Sequence, residues 1–487
     1  MTESIPVPIW LVALGSVLVL WSVLDRLLIP CARWLVRHRA KRIVEDLNTR
    51  LQFRIPAFKL TPRKVLIDRL MSDPSVIKAV TDQAGETGVN REALRTEVER
   101  YAREIVPSFN AYAYFRIGSS LARRVAQVLY RLRLGYVDHE ALSEIGPDAS
   151  VVFVMNHRSN MDYVVASYMA ASRTALSFAV GEWANFWPLR TLIQSLGAYF
   201  VRRNSHNTLY RRTLARYVQM ATQGGVVQAI YPEGCLSRDG RLQPFRLGLI
   251  SYMVAAFDPS SARDLVFVPV GVNYDRVLED RSLLMTLDPE APSRGPLSAT
   301  ATLLRFLARN LGLMARQRWY RLGYACVNFG PPVSLRRFLR ERNLDLRSME
   351  REARRQSIRR LGRELRSAVA AVIPVLPASL VATVFVRNSP APLSALEVKA
   401  GVQALIEALE SRNAYVHVPR SDRDYAVTVG LRMLVLRHFV VESDGLYRVA
   451  PGQDVVLAYY ANSIEHLFRG PSGGRRDPPD GPAPRSE

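Results

Sequence analysis

The sequence predicts an α/β fold: a mixed, mostly parallel sheet flanked by helices, with a helical N-terminal region before it and a small C-terminal α+β unit after it. Three observations lead there. Between Val137 and Leu335 short apolar runs alternate with helical stretches, as strands buried on both faces do. Upstream, apolar residues recur at helical spacing. Beyond Pro374 and Pro377 a capped helix precedes a hairpin. A chain of 487 residues has room for two or three domains and a large core.

The first segment, residues 1–28, reads as a membrane anchor. Ile5 to Leu24 carries no charge and is long enough to cross a bilayer, although Pro6 and Pro8 weaken its first turn. Arg33, Arg37, Arg39, Lys41 and Arg42 follow, and positive charge on that flank places the rest of the chain on the cytoplasmic side. Residues 29–136 form the helical region. Asn90 can cap a helix whose apolar positions are Leu94, Val98, Tyr101 and Ile105, ended by Pro107. A second helix is expected near Tyr112 to Leu134, with Leu121, Val125, Val128 and Leu132 on one side and Arg123, Arg124, Arg131 and Arg133 elsewhere.

Residues 137–335 form the expected catalytic domain. Its strands are Val151–Met155, Ala198–Val201, Val226–Tyr231, Leu265–Val272 and Ala325–Phe329. Ligands of such folds gather at loops leaving the carboxyl ends of strands. Residues 336–376 are an arginine-rich helical segment. In the C-terminal unit, 377–469, Ser394-Ala395-Leu396-Glu397 is a capping box and Ser443-Asp444-Gly445-Leu446 a hairpin turn, so the unit reads as winged-helix-like. The Pro/Gly/Arg tail, 470–487, cannot bury a core.

Lys and Arg number 66 against 44 Asp and Glu, a formal net charge of +22. Such a balance suits an anionic partner: phospholipid, a phosphorylated substrate or nucleic acid. The basic residues are mostly arginine and run along the whole chain, which argues against a single polybasic tail. Three cysteines, Cys31, Cys235 and Cys326, lack metal-ligand spacing and fit a reduced, cytosol-facing protein. No metal site is expected.

The chemistry concentrates after the first sheet strand of the domain, in Met155-Asn156-His157-Arg158-Ser159-Asn160-Met161-Asp162-Tyr163. His157 lies on the loop leaving the strand, and Asp162 stands where a helix begins. The carboxylate can turn back to accept the imidazole Nδ1–H, leaving Nε2 as a base toward an incoming hydroxyl. An arbitrary pair at this spacing is usually a helix cap beside a surface histidine; the later motifs weigh against that. In Tyr231-Pro232-Glu233-Gly234-Cys235-Leu236-Ser237-Arg238, Glu233 can accept hydrogen bonds from a polyol, Gly234 allows close backbone approach, and Ser237 with Arg238 can bind phosphate oxygens. Gly197-Ala198-Tyr199-Phe200-Val201 ends in Arg202 and Arg203. Period-2 alternation turns only one of the two toward a site, where it could fork onto phosphate. Pro269 interrupts an apolar strand, which usually marks an edge or bulge and often a pocket wall.

Taken together, these segments resemble the glycerolipid acyltransferases, and most closely the membrane glycerol-3-phosphate acyltransferases of the bacterial type. Asn-His-Arg-Ser-x-Met-Asp-Tyr, Leu196 to Arg203, Glu233-Gly234-x-x-Ser237-Arg238 and Val268-Pro269-Val270 occur in the family's order, and Ala458-Tyr459-Tyr460-Ala461-Asn462-Ser463 also looks familial. Cys235 and Leu236 depart from the family's small residue and arginine, which puts the acceptor's identity in question. The chain resembles a divergent short form. The resemblance implies acyl transfer from acyl-CoA or acyl carrier protein to the sn-1 hydroxyl of glycerol 3-phosphate, with no cofactor. His157 would be the base and Asp162 its orienting group. Arg202 or Arg203, with Arg238, would hold the acceptor phosphate. Glu233, Gly234 and Ser237 would line the acceptor site, Pro269 would shape the pocket, and Arg158 would be a candidate oxyanion donor. Anionic lipid of the cell membrane would be a further partner. Dihydroxyacetone phosphate and lysophosphatidate are the alternative acceptors. A basic nucleic-acid-binding protein is the alternative of another class, one that leaves the His-x4-Asp and Glu-Gly motifs unexplained.

Overall fold

The computed structural model describes residues 55–170, 174–185, 189–202, 205–285 and 322–469. The expected anchor with its basic flank, Arg203, and the tail from residue 470 all lie outside these residues. Among the described residues, no helix is long and apolar enough to cross a membrane.

Among the helices before the sheet are α1 (Arg63–Met71), α2 (Pro74–Thr87) and α3 (Arg91–Ile105). The Asn90 side chain accepts from Glu92 N–H, and α3 buries Leu94, Val98, Tyr101 and Ile105. After a π-helical turn comes α4 (Ser119–Leu129). It stops short of the expected Leu134 because β1 (Arg131–Val137) takes over. Then follow β2 (Ser150–Met155), α5 (Met161–Ala170), β3 (Ser177–Gly181), β4 (Tyr199–Val201), α6 (Thr208–Gln223) and β5 (Gln228–Ile230). Next are β6 (Leu265–Tyr274), α7 (Asp280–Met285), β7 (Tyr324–Phe329) and β8 (Val333–Ser334). The arginine-rich segment becomes α8 (Arg351–Ala371), with Leu361, Leu365 and Val369 buried and Arg354, Arg355, Arg359 and Arg360 exposed.

The sheet runs β1-β7-β6-β2-β5-β3-β4, with β8 also beside β6. Strands β6, β2, β5, β3 and β4 are mutually parallel. β1 and β7 are parallel to each other, and β7 is antiparallel to β6. Alternation along β2 splits the core in two. Val151, Phe153 and Met155 face one apolar cluster, while Val152 and Val154 face the other, which they share with α1, α2, α3 and α6.

The first cluster is continuous with the C-terminal unit: α9 (Pro377–Asn388), β9 (Leu393–Ser394), α10 (Ala395–Glu410), α11 (Arg423–Leu436), β10 (Val440–Ser443), β11 (Leu446–Val449) and α12 (Asp454–Glu465). Ser394 and Glu397 complete the capping box. The hairpin turns on Asp444 and Gly445, both at positive φ, as a two-residue turn of this twist requires. Main chains approach closely here: a Cβ on Gly271 would lie 2.1 Å from the Val372 carbonyl oxygen.

Pro269 needs a correction. It is neither on an edge strand nor part of the described cavity wall. β6 is central, pairing β2 along one side and first β8, then β7, along the other. Pro269 stands at that changeover. Its carbonyl accepts Gly330 N–H at 2.9 Å, and its missing N–H falls between the stretch paired with β8 and the stretch paired with β7.

Candidate active site

The loop after β2 is pinned before its chemistry begins. Asn156 donates from Nδ2 to the Val272 carbonyl at 2.9 Å and accepts Val272 N–H at 2.8 Å, fixing it to β6. His157 follows, with its Nδ1 2.9 Å from Asp162 Oδ2. Both side chains are buried. Asp162 does not cap α5. Its Oδ2 reaches back to accept the main-chain N–H of Arg158 at 2.7 Å and of Ser159 at 3.1 Å, and its Oδ1 accepts the Tyr274 hydroxyl at 2.6 Å. Four donors converge on one carboxylate, which matches an ionised acceptor with no proton of its own to give. The imidazole lies flat on Tyr231, with ring centroids 4.2 Å apart, and meets Tyr163 edge-on.

A second carboxylate ties this loop to the one after β5. Glu233 Oε1 accepts His157 N–H at 2.7 Å, and Oε2 accepts Gln243 N–H at 2.8 Å. Ser237 N–H closes the link on the His157 carbonyl at 3.0 Å. Burial pushes the Glu233 carboxyl up to about 8, against the pull of those two backbone donors. Gly234 turns at φ +73, where a Cβ would sit 2.8 Å from the Arg246 side chain. A third carboxylate went unnoticed in the sequence. Glu279, between β6 and α7, accepts the Ser159 hydroxyl at 2.7 Å and Asn160 N–H at 3.2 Å, and burial raises its pKa. The signal that could have found it is an acidic residue five positions after the last tyrosine of a strand adjoining β2.

Arg158 is buried beside this loop. Its Nη1 donates to the Gly240 carbonyl at 2.5 Å, and its guanidinium lies over the Tyr459 ring, 4.6 Å from the centroid. Among the described residues, Nε and Nη2 have no partner, nor does the buried Tyr231 hydroxyl. Arg158 borders a cavity of about 10 Å³, the room of one water. Asn156, Glu233, Ser237, Arg241 and Ser463 also line it. Ser463 belongs to α12, so the C-terminal unit supplies one wall.

Neither Arg202 nor Arg238 lines this cavity. Arg202 grips Glu104 of α3 with both nitrogens, at 2.9 and 2.6 Å, between Tyr101 and Tyr210. Arg238 is exposed and does not line the cavity. Arg203 is outside the described residues. Glu233 does line the cavity, but both its oxygens are engaged by main chain rather than awaiting a polyol. The Ser237 hydroxyl donates to the Arg241 carbonyl at 2.7 Å. Among the described residues, no cluster of His, Cys, Asp or Glu could hold a metal.

Two family matches cover separate parts of the chain. Residues 136–273 match the acyltransferase family, and residues 310–473 match the glycerol-3-phosphate acyltransferase C-terminal region. The glycerol-3-phosphate acyltransferase of Aeromonas hydrophila is 26% identical over 90% of this chain and 54% of its own length. That of Pasteurella multocida is 24% identical over 90% and 54%. That of Xylella fastidiosa M23 is 25% identical over 88% and 50%. The chain thus spans about half the length of the curated relatives it matches. The crystal structure of the 1-acyl-sn-glycerophosphate acyltransferase PlsC from Thermotoga maritima aligns with 52% of this chain and 80% of its own. It is 16% identical with a TM-score of 0.29, too loose a likeness to bear on the argument.

Proposed function

We infer, from a chain that belongs to the glycerol-3-phosphate acyltransferase family, that it acylates the sn-1 hydroxyl of glycerol 3-phosphate from an acyl thioester, acyl-CoA or acyl carrier protein. The observation that carries this reading is the buried His157–Asp162 pair at the carboxyl end of a central strand, its carboxylate held by four donors. Asp162 fixes the Nδ1–H tautomer, so Nε2 is the basic nitrogen. It removes the hydroxyl proton as the oxygen attacks the thioester carbonyl. Collapse of the tetrahedral intermediate expels the thiolate, which takes the proton back from His157. Lysophosphatidate and free thiol result. General acid–base work of this kind contributes about 10²–10⁴-fold, and the ionised Asp162 stabilises the imidazolium between the two proton transfers.

Arg238, exposed on the loop after β5, and Arg203 are the groups for the acceptor's phosphate. The buried Nε and Nη2 of Arg158 are unpartnered donors beside a cavity with the room of one water, too small for a phosphate. Glu233 and Ser237 hold the loop in place. The chain works at the cytoplasmic face of the cell membrane, held by Ile5–Leu24 and attracted to anionic lipid. That reading rests on sequence and on the amphiphilic product. Deleting residues 1–28 tests it: attachment should become releasable by high salt, and a truncated protein that still needs detergent overturns it.

The chemical test offers the purified full-length chain a radiolabelled acyl thioester with glycerol 3-phosphate, dihydroxyacetone phosphate or lysophosphatidate. Glycerol 3-phosphate should be the preferred acceptor. His157→Ala should abolish turnover while thermal stability persists. Retained turnover would remove His157 as the base, and preference for another acceptor would replace the substrate.

A further inference from the structure

The Glu279 clamp on the catalytic loop leads directly into the C-terminal unit. Asp280, the next residue, is buried and pairs with Arg437 from the end of α11, with Nη2 2.6 Å from Oδ2. The Tyr460 hydroxyl of α12 donates to the same oxygen at 2.5 Å and accepts from Arg437 Nη1 at 2.7 Å and from Val277 N–H at 3.1 Å. Asp280 Oδ1 accepts Arg281 N–H at 2.7 Å. Every member of the triad is engaged, and Arg437 also stacks on Phe439, 4.2 Å from the ring centroid. A fully connected buried ion pair of this kind fixes register rather than adding much stability, and removing one partner leaves a charge stranded.

We propose that the Arg437–Asp280–Tyr460 triad is a positioning device for acyl transfer: it fixes the segment after β6 so that Glu279 holds Ser159 and Asn160, and with them His157, in reacting geometry. The proposal rests on the reading of His157 as the base. It gives the C-terminal unit a role in turnover that its packing alone does not imply. The chain of contacts is short and continuous. Arg437 and Tyr460 hold Asp280, and the adjoining peptide places Glu279. Glu279 accepts from Ser159 and Asn160, and Ser159 N–H shares the Asp162 oxygen that accepts His157 Nδ1–H. A displacement of about 1 Å at a reacting group can cost on the order of a hundredfold in rate, so small slack at Asp280 reaches the chemistry.

The test uses the full-length protein and steady-state acylation of glycerol 3-phosphate. Tyr460→Phe removes one donor and one acceptor from the triad without changing shape. Glu279→Gln removes one of the two acceptors on the loop. Each should lower kcat about tenfold or more, with both KM values within about twofold of wild type, because neither residue touches substrate. The double variant should be no slower than the slower single, since both lie on one path. Val402→Ala, a buried position of α10 that is not a member of the triad, should lower thermal stability by a similar amount and leave kcat unchanged. If Tyr460→Phe fails to accumulate, Arg437→Lys, which keeps the charge and loses the fork, takes its place.

Wild-type kcat in Tyr460→Phe, multiplying losses in the double variant, or an equal kcat loss in Val402→Ala would each overturn the proposal. An inactive His157→Ala beside a fully active Tyr460→Phe would sink the proposal and leave the function standing. An active His157→Ala would sink the function first.

Discussion

Replacing Asp162 with asparagine isolates charge from geometry. The amide can keep its oxygen where Oδ2 now accepts His157 Nδ1, Arg158 N–H and Ser159 N–H, and turn its NH₂ toward Tyr274, whose hydroxyl can accept instead of donate. The loop should therefore stay folded and the imidazole keep its tautomer. What disappears is the negative charge facing the imidazolium. With roughly 4 Å between charge centres and an effective dielectric of about 20, that attraction is about 4 kcal/mol. The remaining neutral hydrogen bond returns about 1 kcal/mol, so the net loss is about 3 kcal/mol, or about a hundredfold in kcat. Saturating acylation assays with thermal denaturation of the same samples measure both quantities. A kcat within about threefold of wild type, with the melting temperature intact, would refute the argument and leave Asp162 as a brace of the loop. A collapse in melting temperature would show that four-donor satisfaction, not charge, is its main contribution.

Three further outcomes are expected. Arg202→Ala should lower stability by about 1–3 kcal/mol through the stranded Glu104 carboxylate and leave the KM for glycerol 3-phosphate unchanged; a large rise in that KM would return Arg202 to the acceptor site. Glu233, pushed from 4.5 to about 8, binds its proton more tightly in the folded chain. Its contribution is therefore full below about pH 4.5 and lost as pH climbs toward 8, so Glu233→Gln should flatten the fall in melting temperature across that window, and an unchanged slope would contradict it. Gly240→Ala should destabilise by about 1–3 kcal/mol or more, because φ is +86 and a Cβ would lie 1.9 Å from the Tyr459 carbonyl oxygen; a melting curve like that of wild type would count against so close a contact.

Contacts were legible where sequence neighbours meet: His157 and Asp162 share one loop and one helix start, so their pairing follows from local geometry. Contacts between distant segments were not. Arg202 finds Glu104 far upstream, on a helix whose apolar stripe gave no sign of a buried carboxylate. Glu233 looked like a ligand group because its main-chain partners, His157 N–H and Gln243 N–H, leave no trace in composition. The strands Val151–Met155 and Ala325–Phe329 were readable because both faces are apolar. β1 was not, since Arg131-Leu132-Arg133-Leu134 is an exposed edge that continued the arginine-and-leucine pattern of the preceding helix. β3 did not stand out because small residues, Ser177, Ala179 and Gly181, alternate with its two large apolar ones.

The wall that α12 gives to the Arg158 cavity has a consequence for how the molecule is made. His157, Asp162 and the carboxylates that brace them leave the ribosome long before Tyr459 and Ser463 do. Until α12 arrives, the Arg158 guanidinium has no ring beneath it, the Gly240 turn has no carbonyl to rest against, and Asp280 has no phenol. A nascent chain therefore carries His157 and Asp162 before the wall that α12 supplies. The contacts of Tyr459, Tyr460 and Ser463 form only once α12 has been made.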